Sequence, residues 1–242
     1  MPKLHSMQYK NLFIDFDDTL YDTYGNAVLA LGETFEDYHL DRYFADPQVF
    51  YDAYWAANID LWGRYARGEI TRDYLIVERF RRPLSKGVGL DVTAAYCMEM
   101  SDHFLDRCAS KPGTQPGAHE LMDYLQRRGY RMHMTSNGFR EVQYKKLASC
   151  GLRSYFDTII LSEYAGANKP SPAFFEYALR QSGASPATTL MIGDNLQTDI
   201  RGAMAVGLDT MLFNRWGVPS TAYSDDPPTY VVETLAEIMD LL

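Results

Sequence analysis

Hydrophobic and polar positions follow two different periods in the C-terminal half of the chain. Short apolar runs typical of strands lie at 130–136, 156–162, 188–194, 208–214 and 229–233. Apolar positions with helical spacing lie between and after them, at 117–128, 139–150, 172–181, 196–207 and from 235 onward. Short apolar strands that alternate with amphipathic helices predict a parallel sheet with helices on both faces.

Local signals mark the ends of several of these predicted helices. Gly129 follows the helix at 117–128, as expected for a residue that ends a helix in the left-handed conformation. Ser171 before Pro172 predicts an N-cap followed by proline at the first helical position. Residues 234–237 have the sequence of a capping box, which predicts the start of the last helix.

The first half of the chain has a different pattern. An apolar run at 12–14 predicts one strand, and residues 24–110 then have helical spacing throughout, with breaks near 46–47, 68–71 and 86–89. One strand therefore comes first, then about 90 helical residues, then the rest of the sheet.

The simplest organisation is an α/β core that is interrupted by a helical insertion. We predict that residues 1–22 and 112–242 form the core and that residues 23–111 form the insertion. The expected hinges are about 21–26 and 111–117, and the second of these has the sequence KPGTQPG.

Composition and charge restrict the class of protein. The chain has 242 residues, of which 46% are hydrophobic, and 32 acidic against 23 basic residues give a formal net charge of −9. An acidic chain is a poor candidate for binding nucleic-acid polymers. Its densest basic segment, 79–82, is short, and we expect it to be a solvated helix end.

The cysteines and the apolar runs bear on the compartment. Three cysteines without a CxxC spacing favour a reducing compartment. The first ten residues have no apolar signal-peptide core, and no apolar run approaches the ~20 residues that span a bilayer. We expect a soluble, cytoplasmic protein without a membrane partner, present as a monomer or homodimer.

Carboxylates crowd together directly after the first predicted strand. Asp15 and Asp17 follow the apolar residues 12–14, and side chains two residues apart on an extended chain point roughly the same way. Carboxylates that are close together raise each other's pKa. A compensating charge is needed, and a divalent cation is the first candidate.

Other polar residues follow the remaining predicted strands. In open α/β sheets, sites form beyond the carboxyl ends of the strands. The residues found there are Asp15, Asp17 and Thr19 after the first strand, Ser136, Asn137 and Gly138 after the second, Lys169 after the third, and Gly193, Asp194, Asn195 and Asp199 after the fourth. Acids, a hydroxyl group and a lysine are thus predicted to meet at one edge.

This set of residues suits phosphoryl chemistry. Asp15, Asp17 and Asp194 supply the hard oxygen ligands that Mg²⁺ prefers. Ser136 and nearby backbone N–H groups can donate to phosphoryl oxygens, and Lys169 adds a positive charge. One carboxylate is then free to attack phosphorus, and a second can act as general acid and then base.

Four segments resemble, in order, the four motifs of the haloacid dehalogenase superfamily. They are DFDDT at 15–19, TSNG at 135–138, NKPSP at 168–172 and GDNLQTD at 193–199. The resemblance covers essentially the whole core, and the helical insertion resembles that superfamily's C1-type cap. It implies a doubly wound, Rossmann-like parallel sheet of the α/β class with an inserted helical cap domain.

The resemblance also implies roles for the residues of these motifs. Asp15 is then the nucleophile, and Asp17 is the acid and base and binds Mg²⁺ through its backbone carbonyl. Asp15 and Asp194 are the carboxylate ligands of the metal. Ser136 and Lys169 hold the phosphoryl group.

Three further residues are expected to support the site, namely Thr19, Asn137 and Asp199.

Asp17 favours phosphatases, because dehalogenases of this superfamily lack an acid two residues after the nucleophile. Asp18 departs from the usual first motif of the superfamily, because many relatives have glycine at this position. An acid also occurs there among relatives that resemble nucleoside monophosphatases.

The substrate is less well defined by the sequence. Ten aromatic residues lie between Phe35 and Tyr65, and we expect most of them to pack the inserted helices, with one or two left to stack on a planar substrate. Residues 66–71 and 136–166 are similar to a subgroup that hydrolyses pyrimidine nucleoside 5′-monophosphates. The substrate is therefore expected to be a small phosphorylated metabolite, with a sugar phosphate as the alternative.

Three other classes of protein are consistent with part of the pattern. A phosphomutase on the same fold would return the phosphoryl group to its substrate. A non-catalytic phosphate-binding module would hydrolyse nothing. A response-regulator receiver also has an acidic Mg²⁺ site, but it has no helical insertion and is shorter.

The five histidines have no ligand-like spacing, and we expect them to face solvent or to be satisfied in the core.

Overall fold

The computed structural model describes residues 8–242. Six strands of these residues form one sheet, with the bounds β1 Asn11–Asp15, β2 Arg131–Ser136, β3 Thr158–Leu161, β4 Thr189–Gly193, β5 Asp209–Phe213 and β6 Tyr230–Val232. The strand order is β3-β2-β1-β4-β5-β6, and every neighbouring pair is parallel. The chain moves outward from β1 on one side and then on the other, so the predicted doubly wound, Rossmann-like sheet is confirmed.

In the part of the chain that the structure describes, ten α-helices cover the sheet or form the insertion. Their bounds are α1 Thr23–Asp37, α2 Pro47–Ala66, α3 Arg72–Leu84, α4 Ala94–Ser110, α5 Ala118–Arg128, α6 Arg140–Ser149, α7 Ser162–Ala165, α8 Pro172–Ser182, α9 Gly202–Met204 and α10 Leu235–Leu241. Within residues 8–242, no helix combines the length and the apolar character that crossing a bilayer requires.

The chain divides into two compact units. One contains the chain up to Asp22 together with Gly113–Leu242, and the other is Thr23–Pro112. The first unit, the α/β core, contains the whole sheet and α5 to α10. The second, the helical unit, contains α1 to α4. The sequence analysis placed the two boundaries after residues 22 and 111.

Alternating side chains of the strands pack into two separate cores. Leu12 and Ile14 of β1 belong to a cluster that also contains buried residues of α5 and α10. Phe13 points the other way, into a cluster with Phe174 and Phe175 of α8. Helices therefore cover both faces of the sheet, as its continuous apolar strands predicted.

Most of the aromatic residues of the helical unit form its core. Four of the ten are buried in one cluster, and four more are partly buried against it: Phe35, Phe44, Phe50 and Tyr54, then Tyr38, Tyr43, Tyr51 and Trp55. The expectation that aromatic residues pack the inserted helices is confirmed for these eight. Trp62 and Tyr65 lie outside the cluster and contact each other edge to face.

The prediction that the basic segment 79–82 is a solvated helix end holds for Arg81 and Arg82, whose side chains are 44% and 33% exposed in the last turn of α3, but it was wrong for Arg79. Its side chain is only 2% exposed, and its guanidinium group donates to Ser101 Oγ at 2.7 Å and lies 5.3 Å from the ring centre of Phe104. Local charge density predicted exposure, but Arg79 lies on the face of α3 that packs inside the helical unit.

The predicted helix ends hold in part. Gly129 ends α5 with φ of 82°, and Thr234 and Glu237 form the capping box that opens α10. Ser171 is the N-cap residue of α8, but its side chain makes no capping hydrogen bond. The helix predicted at 196–207 begins instead as a π-helical segment, Leu196–Arg201, and continues only briefly as α9.

Candidate active site

Thr19 joins the ends of the two central strands. Asp15 is the buried last residue of β1, and its Oδ2 accepts a hydrogen bond from Thr19 Oγ1 at 2.9 Å. The same hydroxyl oxygen accepts from the backbone N–H of Asp194, just beyond β4, at 3.1 Å. β1 and β4 are adjacent, and the chain changes direction between them, which is where open α/β sheets form their sites.

Lys169 lies beneath this junction and is 2% exposed. Its ammonium group donates to Asp15 Oδ1 at 2.7 Å, to Asp199 Oδ1 at 2.7 Å and to the carbonyl oxygen of Thr135 at 3.0 Å. These three acceptors match its three N–H bonds. Lys169 therefore forms ion pairs with two buried carboxylates.

Asn137 fixes the backbone of Lys169. Its side-chain amide accepts from the Lys169 N–H at 2.8 Å and donates to the Lys169 carbonyl at 2.9 Å. This two-way contact ties the turn after β2 to the loop that carries the lysine. Asn137 is thus a supporting residue whose hydrogen bonds go to the backbone of Lys169.

The π-helical segment explains the position of Asp199. The N–H groups of Asp199 and Ile200 both donate to the carbonyl oxygen of Asn195, which widens this turn. The carboxylate of Asp199 then lies between Lys169 and the N–H of Asn195, which donates to its Oδ2 at 3.1 Å. A Cβ atom at Gly193 would come within 2.6 Å of Asp199 Cγ, so this approach requires glycine.

Asp194 accepts a hydrogen bond from the segment that follows β5. The indole N–H of Trp216 donates to Asp194 Oδ2 at 2.8 Å, while the Trp216 side chain remains 51% exposed. The loop at 216–228 therefore begins with a residue that contacts the site.

Asp18 has a backbone conformation that suits glycine. Its φ is 62°, in the left-handed region that is uncommon for other residues. Arg215, which directly precedes Trp216 in the sequence, donates to Asp18 Oδ1 at 2.6 Å. At this position, where glycine is common in the superfamily that the motifs resemble, the Asp18 carboxylate thus forms an ion pair with Arg215.

Asp17 has contacts with α6 that the motifs did not predict. Lys146 donates to Asp17 Oδ1, and the side-chain amide of Gln143 donates to Asp17 Oδ2. Gln143 also donates to Ser136 Oγ at 2.6 Å, and the N–H of Gly138 donates to the same oxygen at 2.9 Å. Asp17 is the more accessible acid, with 28% of its side chain exposed.

The crowded carboxylates have shifted pKa values. Burial, together with the charges of Asp199 and Asp17, raises the pKa of Asp15 to about 7, against the lowering effect of Lys169. Burial also raises the pKa of Asp194 well above its usual range, and Asp15 and Asp199 add to this effect. One lysine does not balance these acids, and an additional cation would favour their ionised forms.

The donor set fits a hard divalent cation. Asp15, Asp194 and Asp199 each offer a carboxylate oxygen, and these oxygens all lie within 4.8 Å of one another. Oxygen ligands with this charge suit Mg²⁺. Asp199 accepts hydrogen bonds at both of its oxygens, and Asp15 does the same.

Comparisons with known proteins decide the family. A family model described as haloacid dehalogenase-like hydrolase matches residues 9–207. The chain belongs to this family. It is therefore a hydrolase, and the resemblance stated from its four motifs is confirmed.

Two curated relatives cover almost the whole chain. Pyrimidine 5′-nucleotidase PynA of Streptococcus pneumoniae is 32% identical over 98% of this chain and 96% of that protein. Pyrimidine 5′-nucleotidase YjjG of Escherichia coli is 31% identical over 98% of this chain and 99% of that protein. Among solved structures, the magnesium-bound HAD-hydrolase YfnB of Bacillus subtilis has a TM-score of 0.85 and 29% identity, over 97% of this chain and 99% of that one.

Four residues that contact the site were missed by the sequence analysis. Arg215 and Trp216 come just after β5, so the strand-end rule that found the other residues could have included them. Gln143 and Lys146 are buried polar residues within α6. Their only local signal is their spacing of three residues, which places them on one face of that helix.

Proposed function

We propose that this protein is a Mg²⁺-dependent phosphomonoester hydrolase that acts through an aspartyl-phosphate intermediate on a nucleoside 5′-monophosphate. One observation carries the proposal. Asp15 is buried against Lys169 at the end of β1, while Asp17, two residues later, is a second and more exposed acid. A nucleophile and a separate proton donor are the pair that this chemistry requires.

In the first step, a carboxylate oxygen of Asp15 attacks phosphorus. The bond from phosphorus to the leaving oxygen breaks, and its electron pair stays on that oxygen. Asp17 gives its proton to the leaving oxygen, so the product departs as an alcohol. Ser136 and Lys169 stabilise the charge on the phosphoryl oxygens during the transfer.

In the second step, Asp17 takes a proton from a water molecule as the water oxygen attacks phosphorus. The bond between phosphorus and the Asp15 oxygen breaks, and its electron pair returns to the Asp15 carboxylate. Inorganic phosphate leaves, and both acids recover their starting forms. Water as the acceptor separates this reaction from that of a phosphomutase.

The metal has a defined place in this proposal. Asp15, Asp194 and the backbone carbonyl of Asp17 would hold Mg²⁺, and Asp199 and Thr19 would support them. When bound, the ion supplies positive charge that stabilises the crowded carboxylates and the phosphoryl oxygens. The fit of the oxygen donors at this sheet edge supports it.

The substrate class is supported by the relatives. PynA and YjjG are pyrimidine 5′-nucleotidases that cover nearly the full chain. We propose the same class here, a pyrimidine nucleoside 5′-monophosphate, in preference to a sugar phosphate.

The test is phosphate release from a panel of pyrimidine and purine nucleoside monophosphates and sugar phosphates, with Mg²⁺ and with EDTA. We expect Mg²⁺-dependent release that is fastest with a pyrimidine nucleotide. Asp15→Asn should lower kcat by at least roughly 10³-fold, because the nucleophile is lost. Asp240→Asn, which removes an exposed carboxylate of the same unit, should be unaffected.

Metal binding has its own readout. Trp216 donates to Asp194, so its fluorescence should change as Mg²⁺ is added, and Trp216→Phe should abolish that change. No release from the wild type on any substrate would overturn the proposal. Transfer of the phosphoryl group to a second substrate molecule would indicate the phosphomutase instead.

A further inference from the structure

We propose that Lys146 and Gln143 are positioning residues that orient Asp17 for both of its proton transfers. This inference rests on the proposed function and deepens it, because neither residue belongs to the four motifs. Both lie on α6 (Arg140–Ser149), outside the strand ends that carry the other site residues.

Lys146 is the first member of this pair. Lysine is rarely buried unless it is paired, yet the whole residue is only 6% exposed. Its ammonium group contacts Asp17 Oδ1 and also lies 5.1 Å from the centre of the Tyr21 ring. The stem of the lysine is thus buried, and its charge is directed at the acid that handles protons.

Gln143 is the second member and is fully buried. Its amide nitrogen contacts the other oxygen of Asp17, Oδ2, and also donates to Ser136 Oγ. A Cβ atom at Gly138 would overlap the Gln143 side chain. Glycine after Asn137 therefore makes room for this amide to reach the site.

The two contacts together define the orientation of a carboxylate. A single hydrogen bond leaves a carboxylate free to rotate about its bond to Cβ, whereas contacts at both oxygens fix its plane. Because Gln143 and Lys146 are three residues apart, one helix face supplies both donors. The neighbouring Leu147 is buried in the core of the sheet, which anchors this face. Small errors in the direction of a proton transfer are costly in rate.

A purely structural role of Lys146 and a positioning role predict different effects on the individual reaction steps. If Lys146 only balanced the charge of Asp17, its loss would lower stability and slow every step alike. If it orients Asp17, the loss should appear only in steps that transfer a proton. An aryl phosphate separates the two cases, because p-nitrophenolate leaves as an anion and needs no proton.

The experiment uses two substrates, p-nitrophenyl phosphate and a nucleoside 5′-monophosphate. Pre-steady-state release of p-nitrophenol is measured with the first substrate, and steady-state release of phosphate is measured with both. The variants are Lys146→Met and Lys146→Gln, with Lys146→Arg as the conservative replacement. Lys145→Met is the matched control, because it removes the same charge from the same helix at a partly exposed position. Thermal unfolding establishes that each variant is folded.

We expect Lys146→Met and Lys146→Gln to release the first equivalent of p-nitrophenol within about threefold of the wild-type rate. Turnover of both substrates should fall by roughly 10- to 100-fold, because activation of water is lost. A burst of one p-nitrophenol per enzyme therefore precedes slow turnover. Lys146→Arg should recover most of the loss, and Lys145→Met should match the wild type.

Two results would overturn the inference. One is unchanged turnover in the folded Lys146 variants, and the other is an equal fall in the first release and in steady-state turnover. An inactive wild type would instead contradict the proposed function, so the two failures are distinguishable.

Discussion

The two most deeply buried lysine and arginine side chains of residues 8–242 lie in different units. Lys169 in the α/β core and Arg79 in the helical unit are each 2% exposed. Lys169 contacts the carboxylates of Asp15 and Asp199. Arg79, by contrast, has no carboxylate within ion-pair distance among residues 8–242; it contacts Ser101 and the face of Phe104.

The pKa values of the two cations move in opposite directions. Burial disfavours a charge, and it lowers the pKa of Arg79. Burial acts on Lys169 in the same sense, but Asp15 and Asp199 outweigh it, and the pKa of Lys169 is raised. The core therefore gathers charges of both signs into a site, while the helical unit contains one isolated cation that a hydroxyl group and aromatic rings accommodate.

The largest effect should follow from Lys169→Met. This change leaves two buried carboxylates without their cation, and removing one partner of a buried pair costs about 3–5 kcal/mol. We expect the free energy of unfolding to fall by that amount in urea denaturation with EDTA present. Mg²⁺ should restore part of the loss. A variant as stable as the wild type in EDTA would show that the ion pairs of Lys169 do not stabilise the fold.

A further buried base, His133 in β2, is expected to remain uncharged in the folded protein. Burial lowers its pKa to about 4, and its Nε2 lies 3.3 Å from Asn11 Oδ1. Because the folded pKa lies below the ordinary value of about 6.5, the unfolded chain binds the proton more readily. His133 therefore contributes stability that is complete above about pH 6.5 and is lost as the pH falls towards 4.

The matched variant is His133→Gln, which keeps a polar group near Asn11 but does not titrate. We expect the difference in the free energy of unfolding between wild type and variant to change by roughly 2–3 kcal/mol between pH 7 and pH 4.5. Chemical denaturation at the two pH values measures it. Parallel pH dependence in the two proteins would mean that His133 is not the neutral buried base described here.

The smallest effect should follow from Arg79→Met. Methionine fills a similar volume, and the change leaves only the hydroxyl group of Ser101 without its partner, so we expect a loss of about 1–2 kcal/mol. The double variant with Ser101→Ala should recover part of it, because both polar partners are then removed. A loss as large as that of Lys169→Met, measured in the same urea series, would remove the contrast between the two units.

Much of the fold was predictable because its signals are local. The strands and most helices of the core follow from apolar periodicity, and Gly129 and the capping box at Thr234 mark helix ends through contacts within a few residues. The segment 196–207 was predicted less well. Its π-helical turn depends on both Asp199 and Ile200 donating to Asn195, and apolar spacing does not reveal this geometry.

The pattern of strands is enough to predict four of the residues that meet at the site, because parallel strands bring their carboxyl ends to one edge wherever the intervening helices lie. Asp15, Ser136, Lys169 and Asp194 follow from that rule. The side chains that reach the site from other elements could be found only in the folded protein. Gln143 and Lys146 reach Asp17 because one face of α6 is turned towards it. Arg79 is buried because α3 packs with this residue inside the helical unit. Such contacts depend on how helices are rotated against their neighbours, which the packing of many distant residues sets together.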